Sequence, residues 1–205
     1  MKVLELFSGT KSVSKICEKM GYDVVSLDLK DADININILD WNYRAYEPGY
    51  FEVIWASPPC DTFSILRRSW IGRKLKAFGD EIITRELLDN DMETNGLAIL
   101  NRTLEIIDYL KPKYYFIENP QTGYMKNYMD LPFYDVDYCQ YGFKYKKPTR
   151  IWTNSTNFIP RRCNCKTHSA GIGHTRSING YQTIHTLNDK YSIPSDLIRE
   201  LFESI

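Results

Sequence analysis

The strongest constraint on this chain is an apolar run that ends on a proline pair. Phe51-Glu52-Val53-Ile54-Trp55-Ala56 has the β-branched and aromatic make-up of a buried strand, and Ser57-Pro58-Pro59 stops it abruptly. Proline fixes φ, removes a backbone donor and drives the residue before it out of the helical region. The next side chain, Cys60, is therefore held at a fixed place beyond the strand end. Two readings of its thiol stand at this point: a presented nucleophile, or a loop cysteine that only fills space.

The segments before this run set its context. Val3 to Phe7 reads as a first buried strand, Ser8-Gly9-Thr10-Lys11-Ser12 as a tight turn, and Ser14 to Met20 as a helix closed by Gly21. Tyr22 to Asp28 reads as a second strand ending in a carboxylate. Strand, turn, helix and strand with an acid about 20 residues on form half of a nucleotide-type βαβ unit. Only Gly9 stands where a dinucleotide fingerprint wants three glycines, so a pyrophosphate cradle is disfavoured. An adenosyl ligand without phosphates, S-adenosylmethionine, suits the turn better. An ordinary strand-turn-helix with an acidic surface residue remains the competing reading.

Asn35 to Leu39 alternates as a third short strand, and Pro48-Gly49 closes the segment after it. Ile65 to Asn90 reads as irregular and charged. Within it the loop 67-76 carries Arg67, Arg68, Arg73, Lys74 and Lys76 around Trp70, a composition suited to phosphate contacts or to plain solvation. Gly96 to Leu110 carries a helical apolar stripe stopped by Pro112. Tyr114-Tyr115-Phe116-Ile117 is a fifth strand ending in Glu118-Asn119-Pro120, so a carboxylate and a proline again close a strand on the edge that carries Cys60. A carboxylate desolvated there suits proton donation; a turn cap is the plainer reading.

Phe133 to Tyr141 alternates as an antiparallel strand, with Thr149 to Asn154 as its hairpin partner and Arg150 near the active edge. A polar segment follows, in which Cys163, Cys165, His168 and His174 offer a zinc donor set. Cys-x-Cys is tighter than the usual zinc spacing, and free thiols with phosphate-facing histidines compete with it. Pro194 to Ser204 reads as a short amphipathic helix.

Bulk properties bound the answer further. At 205 residues the chain suits one globular domain, or one with a small appendage. Basic and acidic residues balance at 26 each, so a nucleic-acid partner needs a local basic patch. The N-terminus is too short and polar for a signal peptide, and no apolar run suits a bilayer. The odd cysteine count of 5 suits a reducing, intracellular compartment, cytoplasm or nucleoid or nucleus.

Taken in order, Leu6-Phe7-Ser8-Gly9, Ser57-Pro58-Pro59-Cys60, Glu118-Asn119-Pro120 and Tyr141-Gly142 leading to Thr149-Arg150-Ile151 resemble the DNA (cytosine-5)-methyltransferase family. The resemblance implies an α/β fold, a doubly wound, mostly parallel sheet of the S-adenosylmethionine-dependent methyltransferase type, with a C-terminal hairpin and a small polar segment. It implies a catalytic domain over 1-154, a target-recognition segment over 155-189 and a helix in 190-205 that returns to the catalytic domain. Phe7 and Gly9 would line the methionine and ribose, Asp28 take the ribose hydroxyls, Leu29 pack on the adenine and Asn37 meet its amino edge. Ser8, Thr10, Ser57 and Pro58 complete the implied cofactor contacts.

Cys60 would attack cytosine, Glu118 hold ring nitrogen 3, and Arg150 hold the carbonyl oxygen or polarise the thiol's surroundings, with DNA against the loop 67-76 and the segment 155-180. The departures are specific. Asp61 stands where the family has Gln, Pro120 where it has Val, Asn37 where it has an acid, and Pro148 where it has a second Arg; Thr10-Lys11-Ser12 replaces a glycine-rich turn. An RNA cytosine methyltransferase and a catalytically degenerate nucleic-acid-binding scaffold share these features. An amino-methyltransferase shares Ser57-Pro58-Pro59 but needs an aromatic ring where Cys60 sits.

Overall fold

The computed structural model describes residues 1–166, 168 and 191–205. Its centre is a seven-stranded sheet of order β3-β2-β1-β4-β5-β7-β6. The strands are β1 (Lys2–Leu6), β2 (Asp23–Asp28), β3 (Ile34–Asn35), β4 (Val53–Ala56), β5 (Tyr114–Pro120), β6 (Phe133–Asp137) and β7 (Pro148–Thr153). The first five run parallel, and β7 joins antiparallel to β5 with β6 as its hairpin partner. Parallel strands buried on both faces need continuous apolar sequence. Val53–Ala56 is buried at every position, as such a central strand requires.

Alternation along the strands divides the core. Leu4, Leu6, Ile54, Ala56, Ile117 and Trp152 face one side, where α3 (Ala98–Leu110) packs with Leu100, Ile106 and Leu110. Val3, Val53, Trp55, Phe116 and Ile151 face the other, against α1 (Ser12–Lys19) and α4 (Ser195–Glu203). Helices on both faces of a mostly parallel sheet make the fold doubly wound, as the sequence implied. Among the described residues no helix is long and apolar enough to cross a membrane.

Three elements differ from the sequence reading. The strand expected to reach Tyr141 stops at Asp137, and Tyr138–Tyr141 forms a 3-10 turn. Three-residue spacing puts Tyr138 and Tyr141 on one side, where both are buried. The third strand is only Ile34–Asn35, because the Asn37 side chain accepts from Leu39 N–H at 3.0 Å and turns the chain. The segment expected to be irregular contains α2 (Arg85–Asp91), capped by Thr84, whose hydroxyl accepts from Leu87 N–H at 3.2 Å. A π-helical turn, Met92–Leu97, then carries α2 into α3.

Candidate active site

A cavity of about 390 Å³ opens at the carboxyl ends of β1, β4 and β5, the edge where open α/β sheets bind ligands. Phe7, Ser8, Gly9 and Thr10 enter from the turn after β1, Ser57 to Asp61 from the turn after β4, and Glu118, Asn119 and Pro120 from β5. Three strand ends far apart in sequence thus meet in one hollow.

The first turn is strained and pinned. Phe7 sits at φ 62 and Lys11 at φ 55, left-handed conformations that few non-glycine residues adopt, and Gly9 at φ 47. Asp28 holds the turn: one carboxylate oxygen accepts from Gly9 N–H at 2.8 Å and the other from Leu29 N–H at 2.6 Å. Each oxygen keeps a further lone pair for a hydroxyl. Beneath the turn lies Glu5, buried, which accepts from Val13 N–H at 3.2 Å and from Ser14 N–H at 2.9 Å in the first turn of α1. Burial pushes the Glu5 carboxyl above its ordinary range, and the Ser14 hydroxyl and N–H oppose that shift.

Cys60 follows the rigid proline pair. Burial raises its thiol pKa first, then the negative charges of Asp61 and Glu118; Lys147 pulls it down. Lys147 Nζ lies 3.9 Å from Glu118 Oε1 and lines the same cavity. Glu118 is buried, and the Tyr138 hydroxyl donates to its Oε1 at 2.8 Å. Burial, with Glu118 beside it, holds Tyr138 well above the usual phenol range, so it remains a donor. The Asn119 side-chain amide donates to Pro58 O at 2.8 Å and ties β5 to the proline loop.

The structure brings together Cys60, Glu118, Phe7, Ser8, Gly9, Thr10, Ser57 and Pro58, all lining one cavity. It does not bring in Arg150. Register places Arg150 opposite Asn119 and Asp135, on the sheet face away from Glu118 and Ile151. There its guanidinium pairs with Asp135 through two bonds, at 2.8 and 3.0 Å, and lies 3.5 Å over the Phe133 ring. Asp28, Leu29 and Asn37 also lie outside the cavity wall; Leu29 is exposed and Asn37 is taken up by its own turn. In the loop 67-76, Arg67 is buried against Asp91 and Arg68 pairs with Asp89 at 3.0 Å, which leaves Arg73, Lys74 and Lys76 exposed to solvent.

Sequence reasoning missed Glu5, Tyr138, Asn119 and Lys147. An acid in the middle of an otherwise apolar first strand was the available signal for Glu5. Lys147 had none, because only the hairpin fold carries it to Glu118.

A doubly wound sheet with a strained first turn, a thiol and a carboxylate at one edge defines a methyltransferase-type site. A probable DNA (cytosine-5)-methyltransferase of Frog virus 3 (isolate Goorha) is 47% identical over 167 residues, 80% of this chain and 75% of that protein. The chain belongs to the DNA (cytosine-5)-methyltransferase family. Among solved structures, the Entamoeba histolytica methyltransferase EhMeth matches with a TM-score of 0.51 at 16% identity over 78% of this chain. Dnmt2 methyltransferase of S. pombe matches with a TM-score of 0.44 at 16% identity, over 75% of this chain and 50% of that one. The chain spans 55% of the EhMeth structure, and that likeness bears on fold. No protein-family profile matches the chain.

The cavity suits the cofactor this family implies. Ser8 and Asn119 both line it, and Ser8 Oγ and Asn119 Oδ1 are buried with no hydrogen-bond partner among the described residues. Buried polar atoms left unsatisfied are costly, so each marks a place for a polar ligand atom. Phe7, Pro58 and Ile193 supply apolar wall for the rest of the molecule.

Proposed function

We propose that this chain transfers a methyl group from S-adenosylmethionine to carbon 5 of a flipped-out cytosine in DNA, through a covalent adduct with Cys60. The observation that carries this reading is the meeting of Cys60, Glu118 and the β1 turn in one cavity. Ser8, Gly9 and Asn119 would hold S-adenosylmethionine, which would supply an electrophilic sulfonium methyl.

The chain's own residues do the rest. The Cys60 thiolate adds to carbon 6, forming an S–C6 bond and pushing the ring electrons onto carbon 5, which becomes nucleophilic. Glu118 enters protonated, donates to ring nitrogen 3 and gives it the proton as the addition places negative charge on the ring. The proton returns when the ring regains aromaticity. The Tyr138 hydroxyl donates to Glu118 Oε1 and Lys147 Nζ stands 3.9 Å from the same oxygen, which leaves Oε2 to face the base. After methylation the carbon 5 proton leaves to solvent, the S–C6 bond breaks and its electron pair returns to sulfur. The target base must first leave the duplex, at a cost of roughly a few kcal/mol of unstacking. Arg73, Lys74 and Lys76, at the loop beyond Cys60, suit the flanking phosphates.

Labelled S-adenosylmethionine offered with cytosine-containing DNA and, separately, RNA tests the reading. We expect 5-methylcytosine in DNA by nucleoside mass spectrometry, and its loss with Cys60→Ser. Methylation confined to RNA would reassign the substrate; methylation at the exocyclic amine would overturn the mechanism.

A further inference from the structure

The thiols and the imidazole beyond the hairpin play no part in that chemistry. We propose that Cys139, Cys163, Cys165 and His168 form a tetrahedral structural zinc site that fastens the segment after β7 to the end of β6. The sequence pattern put His174 in the fourth position, but that residue lies outside the described residues. In the described cluster Cys139 takes the place.

Geometry supports the donor set. One donor atom from each of the four residues lies within 4.8 Å of every other. Tetrahedral zinc with bonds of about 2.3 Å to sulfur sets its ligands ~3.8 Å apart, so closure asks for shifts of about 1 Å. Cys163 Sγ and His168 Nε2 already approach to 3.1 Å. Three thiolates and one imidazole fill all four positions and are soft enough to favour zinc over magnesium or calcium. Each cysteine gives up its thiol proton to the solvent as the metal binds.

The backbone is prepared on both sides of the cluster. Cys139 sits in the 3-10 turn whose Tyr138 and Tyr141 are buried, so its position is anchored in the core. Asp137 N–H donates to Arg161 O at 3.2 Å, and Asp137 Oδ2 accepts from Cys163 N–H at 2.9 Å. These bonds lay the segment with Cys163 and Cys165 beside the end of β6. Gln140 supplies outer support, its amide donating to Cys165 Sγ at 3.1 Å and approaching Cys139 Sγ at 3.8 Å. All five cysteines of the chain are free thiols, so none is already committed to a disulfide. The segment also lies over little core, which is where a metal staple contributes most.

Cys139 is the chain neighbour of Tyr138, the donor to Glu118. A metal at Cys139 would therefore also steady one wall of the active site.

The test uses the full chain, expressed with zinc supplied, passed through gel filtration and weighed by native mass spectrometry. Chelated protein is then titrated with Co²⁺. We expect one zinc per chain, and a cobalt spectrum with tetrahedral d–d bands and thiolate charge transfer. Cys139→Ser and Cys165→Ser should each abolish retained zinc, while His174→Gln keeps it. Cys165 is exposed, so its variant tests the site even where Cys139→Ser fails to fold. A chain that retains no zinc and gives no tetrahedral cobalt spectrum overturns the proposal. So does zinc retention by Cys165→Ser, or loss of zinc with His174→Gln.

Discussion

At the scale of single residues, the reactivity of Cys60 is set first by burial and then by three charged neighbours. Asp61 and Glu118 raise its pKa beyond what burial already does, and Lys147 opposes them. A thiol raised above its ordinary value holds little thiolate at neutral pH, so methyl transfer should quicken as pH rises into the alkaline range. Asp61→Gln removes one negative neighbour. Its Cys60 should ionise at lower pH and react with iodoacetamide faster than wild type, by up to about tenfold at fixed pH. Peptide mass spectrometry of the alkylated thiol reads the rate, and an unchanged rate would show that Asp61 does not act on the thiol.

Glu118 gives a second test. Tyr138→Phe strips the donor from its Oε1 without removing the ring, and should slow methyl transfer about 10- to 100-fold. Cys60 and Glu118 were legible in sequence because prolines and polar residues cut off apolar runs at both places. Arg150 was legible as a residue but not as a position. Which face of β7 it occupies depends on the register of the hairpin, which no local pattern reveals.

At the scale of elements, the site is supported by packing behind it. Gly96 in the π-helical turn backs onto the loop after Cys60: a Cβ there would fall inside contact distance of Thr62 Oγ1 and 3.1 Å from Phe63 Cε2. Gly96→Ala should destabilise the fold by about 1–3 kcal/mol through overpacking and reduce turnover by displacing Thr62. Thermal melts and initial rates measured together check both effects.

Glu5 couples the fold to pH. Its carboxyl titrates above the ordinary value of 4.5, so the folded protein holds this proton more tightly than the unfolded chain does. The contribution is therefore full below the unfolded value and is lost as pH rises through the folded one. Glu5→Gln removes the titration. Stability of wild type relative to Glu5→Gln should fall as pH rises from 4.5 toward neutrality, as read by denaturant midpoints at several pH values. A difference that stays flat with pH would contradict the assignment.

Strands β1, β2, β4 and β5 were legible because buried parallel strands carry short apolar runs, interrupted here only by Glu5 in β1 and Ser26 in β2. Helix α2 was not, since its Arg85–Asp91 run is mostly polar and buries little beyond Leu88. Its acids hold Arg67 and Arg68, pairings that only the folded loop displays.

At the scale of the whole molecule, balanced charge means that attraction to the proposed DNA substrate must be local. With Arg67 and Arg68 engaged internally, Arg73, Lys74 and Lys76 are the exposed cations of the loop beyond Cys60. Changing these residues together to Gln should weaken DNA binding across all sequences. The salt dependence of log Kd should flatten by about 0.9 for each phosphate that is no longer neutralised. Fluorescence anisotropy across a salt series reads that slope, and an unchanged slope would place the DNA elsewhere.

The order of the four motifs along the chain carried the family in sequence; three of them sit on strand ends that the fold gathers to one edge, while Thr149-Arg150-Ile151 lies within β7. Cys139 escaped that reading because β7 separates it in sequence from Cys163 and Cys165, and only the fold brings the three thiols together.

The central claim is that Cys60 bonds to the base. Incubation of the protein with S-adenosylmethionine and a DNA duplex containing 5-fluorocytosine traps that bond, because fluorine at carbon 5 cannot leave as a proton does. The account predicts a stable protein–DNA adduct in the wild type, of the summed mass plus the transferred methyl group, mapped to Cys60 and absent from Cys60→Ser. A wild-type protein that binds S-adenosylmethionine yet forms no adduct with DNA would contradict it.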